Sequence, residues 1–262
     1  MPSTILNWDA EDLWLALEPH APGLSIEVLP ETASTNTALL ERARAGDSAP
    51  CLLVAERQNA GRGRLGRSWS SAPGRSLTFS LACPLAPADW SGLSLAVGLA
   101  LAEALHPRIG IKWPNDLWLR GDDRKLGGIL IETLMAPGSA DGARQVVVGV
   151  GLNIEPLGDA ETAPFGSGYA CLQELDPAAS APLALHRVAL PLWRALQDFE
   201  RHGLAPLLPR FAARDVLAGR PVQAGDRHGT ACGIAPDGAL LLRDAAGQIH
   251  AVHSGEVSAR PC

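Results

Sequence analysis

Cysteine pairing is what this chain most plainly lacks. Its five cysteines, Cys51, Cys83, Cys171, Cys232 and Cys262, are odd in number, scattered and never spaced as CxxC, which excludes a disulfide framework or a structural zinc site. A reduced cytoplasm fits that pattern, with the first four cysteines as small core residues rather than nucleophiles. A basic start leading into a long apolar run is also missing, which argues against a signal peptide. The apolar stretch from Leu93 to Leu105 is too short to span a bilayer and is broken by Glu103, so no membrane association is expected. Positive charge is not in excess either. A net charge of −6 excludes a general grip on nucleic acid. What is present is apolar: 47% hydrophobic residues over 262 positions, enough to bury a large domain and a small one.

Periodicity and turn chemistry predict an α+β fold. A strand over 24–29 leads through Ser34-Thr35-Asn36 into a helix over 37–44, stopped by Gly46. Strands follow near 51–57 and 76–83, then a buried helix over 91–105 and a strand over 109–113 halted at Pro114. Residues 117–119 and 126–134 read as hairpin arms turning at Gly121-Asp122-Asp123, residues 145–150 as a buried strand, and 183–201 as a helix kinked by Pro191. After Arg214 the texture changes to short apolar segments between turn signals, the mark of a small β-barrel. The boundary falls near 213, giving units 1–213 and 214–262. A chain ending near Ala213 is expected to keep most of the larger core.

The stretch Gly61-Arg62-Gly63-Arg64-Leu65-Gly66-Arg67-Ser68-Trp69 interleaves glycines with arginines. Glycines let backbone N–H groups approach a ligand, and guanidinium forks suit carboxylate or phosphate, so the stretch reads as an anion-binding loop. It overlaps the dinucleotide and phosphate-loop patterns, but both require a helix directly afterwards. Here Ser70-Ser71-Ala72-Pro73-Gly74 and a strand follow instead. A solvated Gly/Arg loop is the plain alternative.

Ile111-Lys112-Trp113-Pro114-Asn115-Asp116 sets a cation, an amide and a carboxylate beside two rigid residues. Lys112 is either a snorkelling lysine at a strand end or a fixed ammonium aimed at developing negative charge. Asp116 is then available to a metal or a hydroxyl. Gly127 and Gly128 open a strand where glycine signals either close backbone approach or a bulge. Gly149 and Gly151 repeat the theme before Asn153. Ser34-Thr35-Asn36 either caps the next helix or presents donors and acceptors to a polar, uncharged ligand head.

Taken in order, Ser34-Thr35-Asn36, Glu56-Arg57-Gln58, the loop from Gly61 to Trp69, Lys112-Trp113-Pro114-Asn115-Asp116, Lys125-Leu126-Gly127-Gly128-Ile129-Leu130 and Gly149-Val150-Gly151-Leu152-Asn153 resemble the biotin protein ligases. Gly238-Ala239-Leu240-Leu241-Leu242 and Gly255 to Arg260 look like the small terminal domain of that family. The resemblance runs over roughly 26–260 and implies a mixed β-sheet catalytic domain flanked by helices, of the class II synthetase-like biotin/lipoate ligase fold. A small SH3-like β-barrel would follow at the carboxy terminus.

The activity this implies joins biotin to ATP, forming biotinyl-5′-adenylate and pyrophosphate, and then transfers the biotinyl group to one lysine of a biotin carboxyl carrier domain of a carboxylase. By the same resemblance Ser34, Thr35, Asn36 and Gln58 would bind the ureido head. Gly61, Arg62, Gly63, Arg64, Trp69, Gly127 and Gly128 would complete the biotin site. Lys112 would lie beside the biotin carboxylate and the α-phosphate and, with Arg64, act in catalysis. Arg64, Arg67, Trp69, Lys112, Asn115, Asn153 and Arg260 would serve the nucleotide, and Mg²⁺ would accompany ATP without a dedicated protein metal site. Only about thirty residues precede the catalytic resemblance, and Trp8, Leu13, Trp14 and Leu17 supply at most one short helix, so no specific DNA binding is expected. A homodimer is compatible with the resemblance. The segment Ala170-Cys171-Leu172-Gln173-Glu174 matches only loosely, leaving its nucleotide contacts open. A lipoate–protein ligase would need an arginine-serine-triple-glycine-alanine signature that is absent, and a non-catalytic biotin sensor could dispense with Lys112.

Overall fold

The computed structural model describes residues 6–135, 143–158, 166, 168–253 and 259–261. Seven strands form one mixed sheet: β1 (Ser25–Thr32), β2 (Cys51–Gln58), β3 (Ser76–Leu85), β4 (Ile109–Lys112), β5 (Asp116–Leu119), β6 (Arg124–Met135) and β7 (Arg144–Asn153). Their spatial order is β1-β2-β3-β7-β6-β5-β4, parallel between β1 and β2 and antiparallel elsewhere. The α+β class is therefore as predicted. Strand β1 runs on through Pro30 to Thr32, beyond the expected end, because an edge strand can carry a proline whose missing N–H faces outward.

Side-chain alternation assigns the two faces. Leu52, Val54, Leu77, Phe79, Leu81, Val146, Val148, Val150 and Leu152 point into the main core, where helices α1 (Ala10–Leu17), α3 (Leu93–Leu105) and α4 (Ala181–His202) bury their apolar sides. Helix α4 continues through Pro191 as one element. On the opposite face Leu53, Ala82 and Val147 form a smaller cluster with Leu39 and Leu40 of α2 (Thr35–Arg44). Ser34 caps α2, its hydroxyl accepting from the Thr37 amide at 3.4 Å. Cys51, Cys83 and Cys171 are buried as expected, but Cys232 is only half-buried. Its strand belongs to a thinly covered sheet, so the expectation of a core cysteine fails there.

After the short helix α5 (Leu208–Ala212) come β8 (Pro221–Ala224), β9 (Arg227–Ile234), β10 (Leu240–Arg243), β11 (Ile249–Val252) and β12 (Ala259–Pro261). They form an antiparallel sheet in the order β11-β10-β9-β8-β12, and among the described residues it does not close into a barrel. The short strands and turns are as the sequence implied; closure is not found. This sheet is joined to the larger one. The Ile111 amide donates to Arg214 O at 2.8 Å, the Val216 amide to Ile111 O at 3.1 Å, and the main apolar cluster continues through Val222, Ala231, Leu240 and Leu242. No described helix is long and apolar enough to cross a membrane.

Candidate active site

The α2 face of the large sheet changes character along its length. Register places Lys112 opposite Asp116, Asp116 opposite Gly128, Gly128 opposite Gly151 and Gly151 opposite Thr78, so one row across five strands runs from charge through bare backbone to hydroxyl. The next row carries Leu130, Gly149 and Ser80. With no side chains at 128, 149 and 151 the sheet is hollowed out. The result is a cavity of about 750 Å³, within the usual range for small-molecule sites.

Two neighbours occupy part of that hollow. A Cβ on Gly149 would run into the Asn36 side-chain amide, and one on Gly151 into the Trp69 ring. Close backbone approach is thus the reason for both glycines. At Gly127 both alternatives hold at once: the register shifts between Leu117 and Trp118, and a Cβ there would meet the Gly151 carbonyl, whereas a Cβ on Gly128 would meet the Lys125 side chain.

One end of the cavity is polar and uncharged. The Thr35 amide and hydroxyl both donate to Gln58 Oε1, at 2.8 and 3.1 Å. Ser80 Oγ lies 2.6 Å from both Thr35 Oγ1 and Asn36 Oδ1, and Asn36 Nδ2 donates to Leu130 O at 3.2 Å and Glu132 Oε2 at 2.9 Å. Ser34, Thr35, Asn36 and Ser80 are buried. A network satisfied in this way holds its donors and acceptors in fixed directions.

The other end is charged. Lys112 is only 6% exposed and sits 4.7 Å above the Trp118 ring centre, a cation–π contact, with Asp116 Oδ2 3.9 Å away. The snorkelling alternative is excluded by that burial. Lys125 Nζ binds Asp116 Oδ1 at 2.7 Å, so the carboxylate is flanked by two ammonium groups and is not a vacant metal ligand. Above them the Gly/Arg loop folds back on itself without a following helix. Trp69 N donates to Gly61 O at 2.9 Å and Gly63 N to Arg67 O at 2.7 Å. Arg62 turns outward to Glu132 through two hydrogen bonds, at 3.1 and 2.7 Å. Arg64 turns inward to Asn115 Oδ1 at 3.3 Å, and burial pulls its guanidinium below the ordinary arginine value, with Asp116 acting the other way.

Of the residues expected at a site, Ser34, Thr35, Asn36, Gln58, Arg62, Gly63, Arg64, Arg67, Trp69, Lys112, Asn115 and Gly128 line this cavity. Gly61 and Gly127 lie behind its wall, shaping the loop base and the strand. The Asn153 amide is committed to Lys125 O at 3.3 Å and Ala170 O at 2.9 Å, tying down the backbone that carries Lys125. The Arg260 side chain and Glu256 lie outside the described residues. Sequence reasoning missed Ser80, Trp118, Lys125 and Glu132 as site residues. Period-two spacing from Asp116 to Trp118 and from Gly128 through Leu130 to Glu132 was the available signal.

A sequence model of the biotin/lipoate A/B protein ligase family matches residues 28–153, and one of the biotin protein ligase C-terminal domain matches 218–260. The chain is similar to the bifunctional ligase/repressor BirA of Salmonella typhimurium, 39% identical over 273 residues spanning 99% of this chain and 81% of that protein. It is 33% identical to the biotin–[acetyl-CoA-carboxylase] ligase of Mycobacterium tuberculosis, covering 88% of each. Among solved structures, a biotin protein ligase from Aquifex aeolicus in complex with biotin and ATP superposes with a TM-score of 0.73 at 27% identity, over 91% of this chain and 99% of that one.

If bare backbone at 149 sets the position of Asn36, Gly149→Ala must displace its amide and break the contacts to Ser80 and Glu132. Stability should fall by about 1–3 kcal/mol, the cost of a buried polar group left unsatisfied. Urea unfolding measures this, and an unchanged midpoint would show that the cavity floor yields.

Proposed function

The chain belongs to the biotin protein ligase family, and we propose that this cavity is where it activates biotin with ATP before biotinylating a carrier domain of a carboxylase. In the first step a biotin carboxylate oxygen bonds to the α-phosphorus of ATP and the bond to the β-phosphate breaks, giving biotinyl-5′-adenylate and pyrophosphate. In the second, a carrier lysine amine bonds to the acyl carbon and AMP leaves. The observation that carries the reading is the pairing, within one cavity, of a fixed uncharged hydrogen-bonding set with the buried Lys112 ammonium and the half-buried Lys125 beside it. Those are the two needs of a substrate with a ureido head and a reacting carboxylate.

Ser34, Thr35, Asn36 and Gln58 are read as the ureido-binding set, supported by their shared network, and Ser80 joins them as its hub. Lys112 is read as the cation that offsets charge when a carboxylate approaches an anionic phosphate, and its fixed, water-poor setting makes that offset effective without solvent reorganisation. Lys125 adds a second ammonium beside the same carboxylate. Arg64, Arg67, Trp69 and Asn115 are read as the adenylate side of the cavity, and Asn153 and Arg260 as nucleotide residues in the looser sense that the family resemblance suggests.

Mg²⁺ is read as travelling with ATP. Among the described residues no group of three or more His, Cys, Asp or Glu could hold an ion, and Asp116 already neutralises two lysines. Such a set fits an ion held mainly by phosphates and water, as Mg²⁺ commonly is, and the ion would supply charge neutralisation on the phosphates. Residues 1–213 are read as the catalytic unit and 214–262 as a small SH3-like barrel, the family form of the open sheet seen here. The buried thiols support a reducing, cytoplasmic setting.

Incubated with biotin, ATP and a carrier domain, the protein should add one biotinyl group to the carrier, read by mass spectrometry; an unmodified carrier would refute the function. In the same assay Lys112→Ala should lower biotin-dependent pyrophosphate release by about 10²–10³, the usual cost of one lost electrostatic contact to the transition state. Near-normal release would remove Lys112 from its role. Arg64→Gly should leave the first step comparatively intact and weaken retention of the intermediate. The fraction of adenylate passing a spin column unbound should then rise, and unchanged retention would count against a phosphate contact from Arg64.

A further inference from the structure

Each lysine beside Asp116 has a chain neighbour within two residues that is held by the carboxy-terminal segment. Lys112 precedes Trp113, whose buried indole N–H donates to Gly238 O at 3.0 Å. Lys125 follows by two residues Asp123, the turn residue between β5 and β6 with left-handed backbone (φ 55°). Both oxygens of that carboxylate accept from Arg220, at 2.7 and 2.6 Å. Arg220 is itself well anchored: its amide donates to Leu217 O and its carbonyl accepts from the Ala231 amide, each at 2.9 Å. The backbone around Lys125 is paired with β5, Trp118 opposite Lys125 and Leu119 opposite Arg124, and is tied on its other side to residues 168–170 and to Asn153; Arg220 is what reaches the turn itself from the carboxy-terminal sheet.

We propose that Arg220 is a positioning residue for biotin activation: through Asp123 it fixes the β5–β6 turn and thereby sets where the Lys125 ammonium meets the reacting groups. The carboxy-terminal sheet is then a working part of the active site without touching substrate. The physical argument is a contrast of sensitivities. A half-exposed ion pair contributes little to stability, and the side chains of Arg220 and Asp123 are 34% and 48% exposed. A two-pronged guanidinium–carboxylate contact nevertheless fixes orientation strongly, and rates respond steeply to displacements of about 1 Å at reacting groups. Asp123 also lies on the cavity wall, so any movement of the turn is felt directly there.

The proposal rests on the reading of the cavity given above, and two variants of the full chain test it. Asp123→Asn keeps a residue tolerant of left-handed backbone and removes the charge; Arg220→Lys keeps the charge and removes the fork. In biotin-dependent ATP–pyrophosphate exchange, kcat should fall by about 10-fold or more in Asp123→Asn, and by less in Arg220→Lys, with KM for biotin within about twofold and Tm almost unchanged. A kcat within about twofold of the parent in both variants overturns the proposal. So does a loss of kcat accompanied by raised KM and lowered Tm, which would mark a general loosening. A parent protein that neither exchanges pyrophosphate nor labels a carrier domain overturns the functional reading itself, and the proposal with it.

Discussion

Two absent side chains on β7 govern the shape of this molecule's working face. Strand β7 lies between β3 and β6, where packing is densest, and one face of it is filled by Val146, Val148, Val150 and Leu152. On the other face Val147 still packs against α2, but Gly149 and Gly151 leave bare backbone. Asn36 and Trp69 come to rest on that backbone, and the cavity opens beside them. Glycine weakens a strand by entropy and lost packing. The valine-rich face offsets that cost, so a single strand packs a core on one side and opens a cavity on the other.

The hollow also settles where charge can be kept. Buried ions require partners, and removing one partner strands the other. Asp116 serves Lys112 and Lys125 together, while the Trp118 ring face covers Lys112. Among the residues lining the cavity, Arg62, Arg64, Arg67, Lys112 and Lys125 outnumber the carboxylates Asp116 and Asp123; Arg62 is met by Glu132 outside the lining, and Asp123 is engaged by Arg220. A chain of net charge −6 therefore carries a locally cationic cavity, suited to an acyl phosphate and a nucleotide.

What could be read in the sequence was whatever lay contiguous in it. The Ser34-Thr35-Asn36 run, the Gly/Arg loop and the Lys112 to Asp116 segment each announce their chemistry within a few residues, and the alternation of apolar strands gives the α+β class. Contacts made across strands were hidden. Ser80 and Glu132 matter because register brings them beside Asn36, and Lys125 faces Asp116 because the hairpin register shifts at the Leu126 bulge. Gly127 and Gly128 signal a bulge there, but no local pattern says which side chain the shifted register brings to Asp116. Asn153 is a further case: its side-chain amide donates to Lys125 O and Ala170 O, contacts that only the fold brings together. In the carboxy-terminal sheet, turn residues marked the short strands, whereas closure depends on edge pairing that turns do not encode.

The Gly/Arg loop shows how contiguous chemistry acquires direction from its surroundings. Its base is closed by the Trp69–Gly61 hydrogen bond, its waist by Gly63–Arg67, and residues 62 and 68 pair in antiparallel fashion. These bonds hold the ribbon's shape, because opening it residue by residue would lose them in turn. Its two arginines of known direction nonetheless meet unlike environments. Arg62 bridges outward to Glu132 with 43% of its side chain exposed, where water screens the pair and exchange is cheap. Arg64 is partly desolvated against Asn115, so an arriving anion would gain more there than in water. One loop thus carries a screened outer ion pair and a partly desolvated inner cation, and alternation along the ribbon separates the two environments.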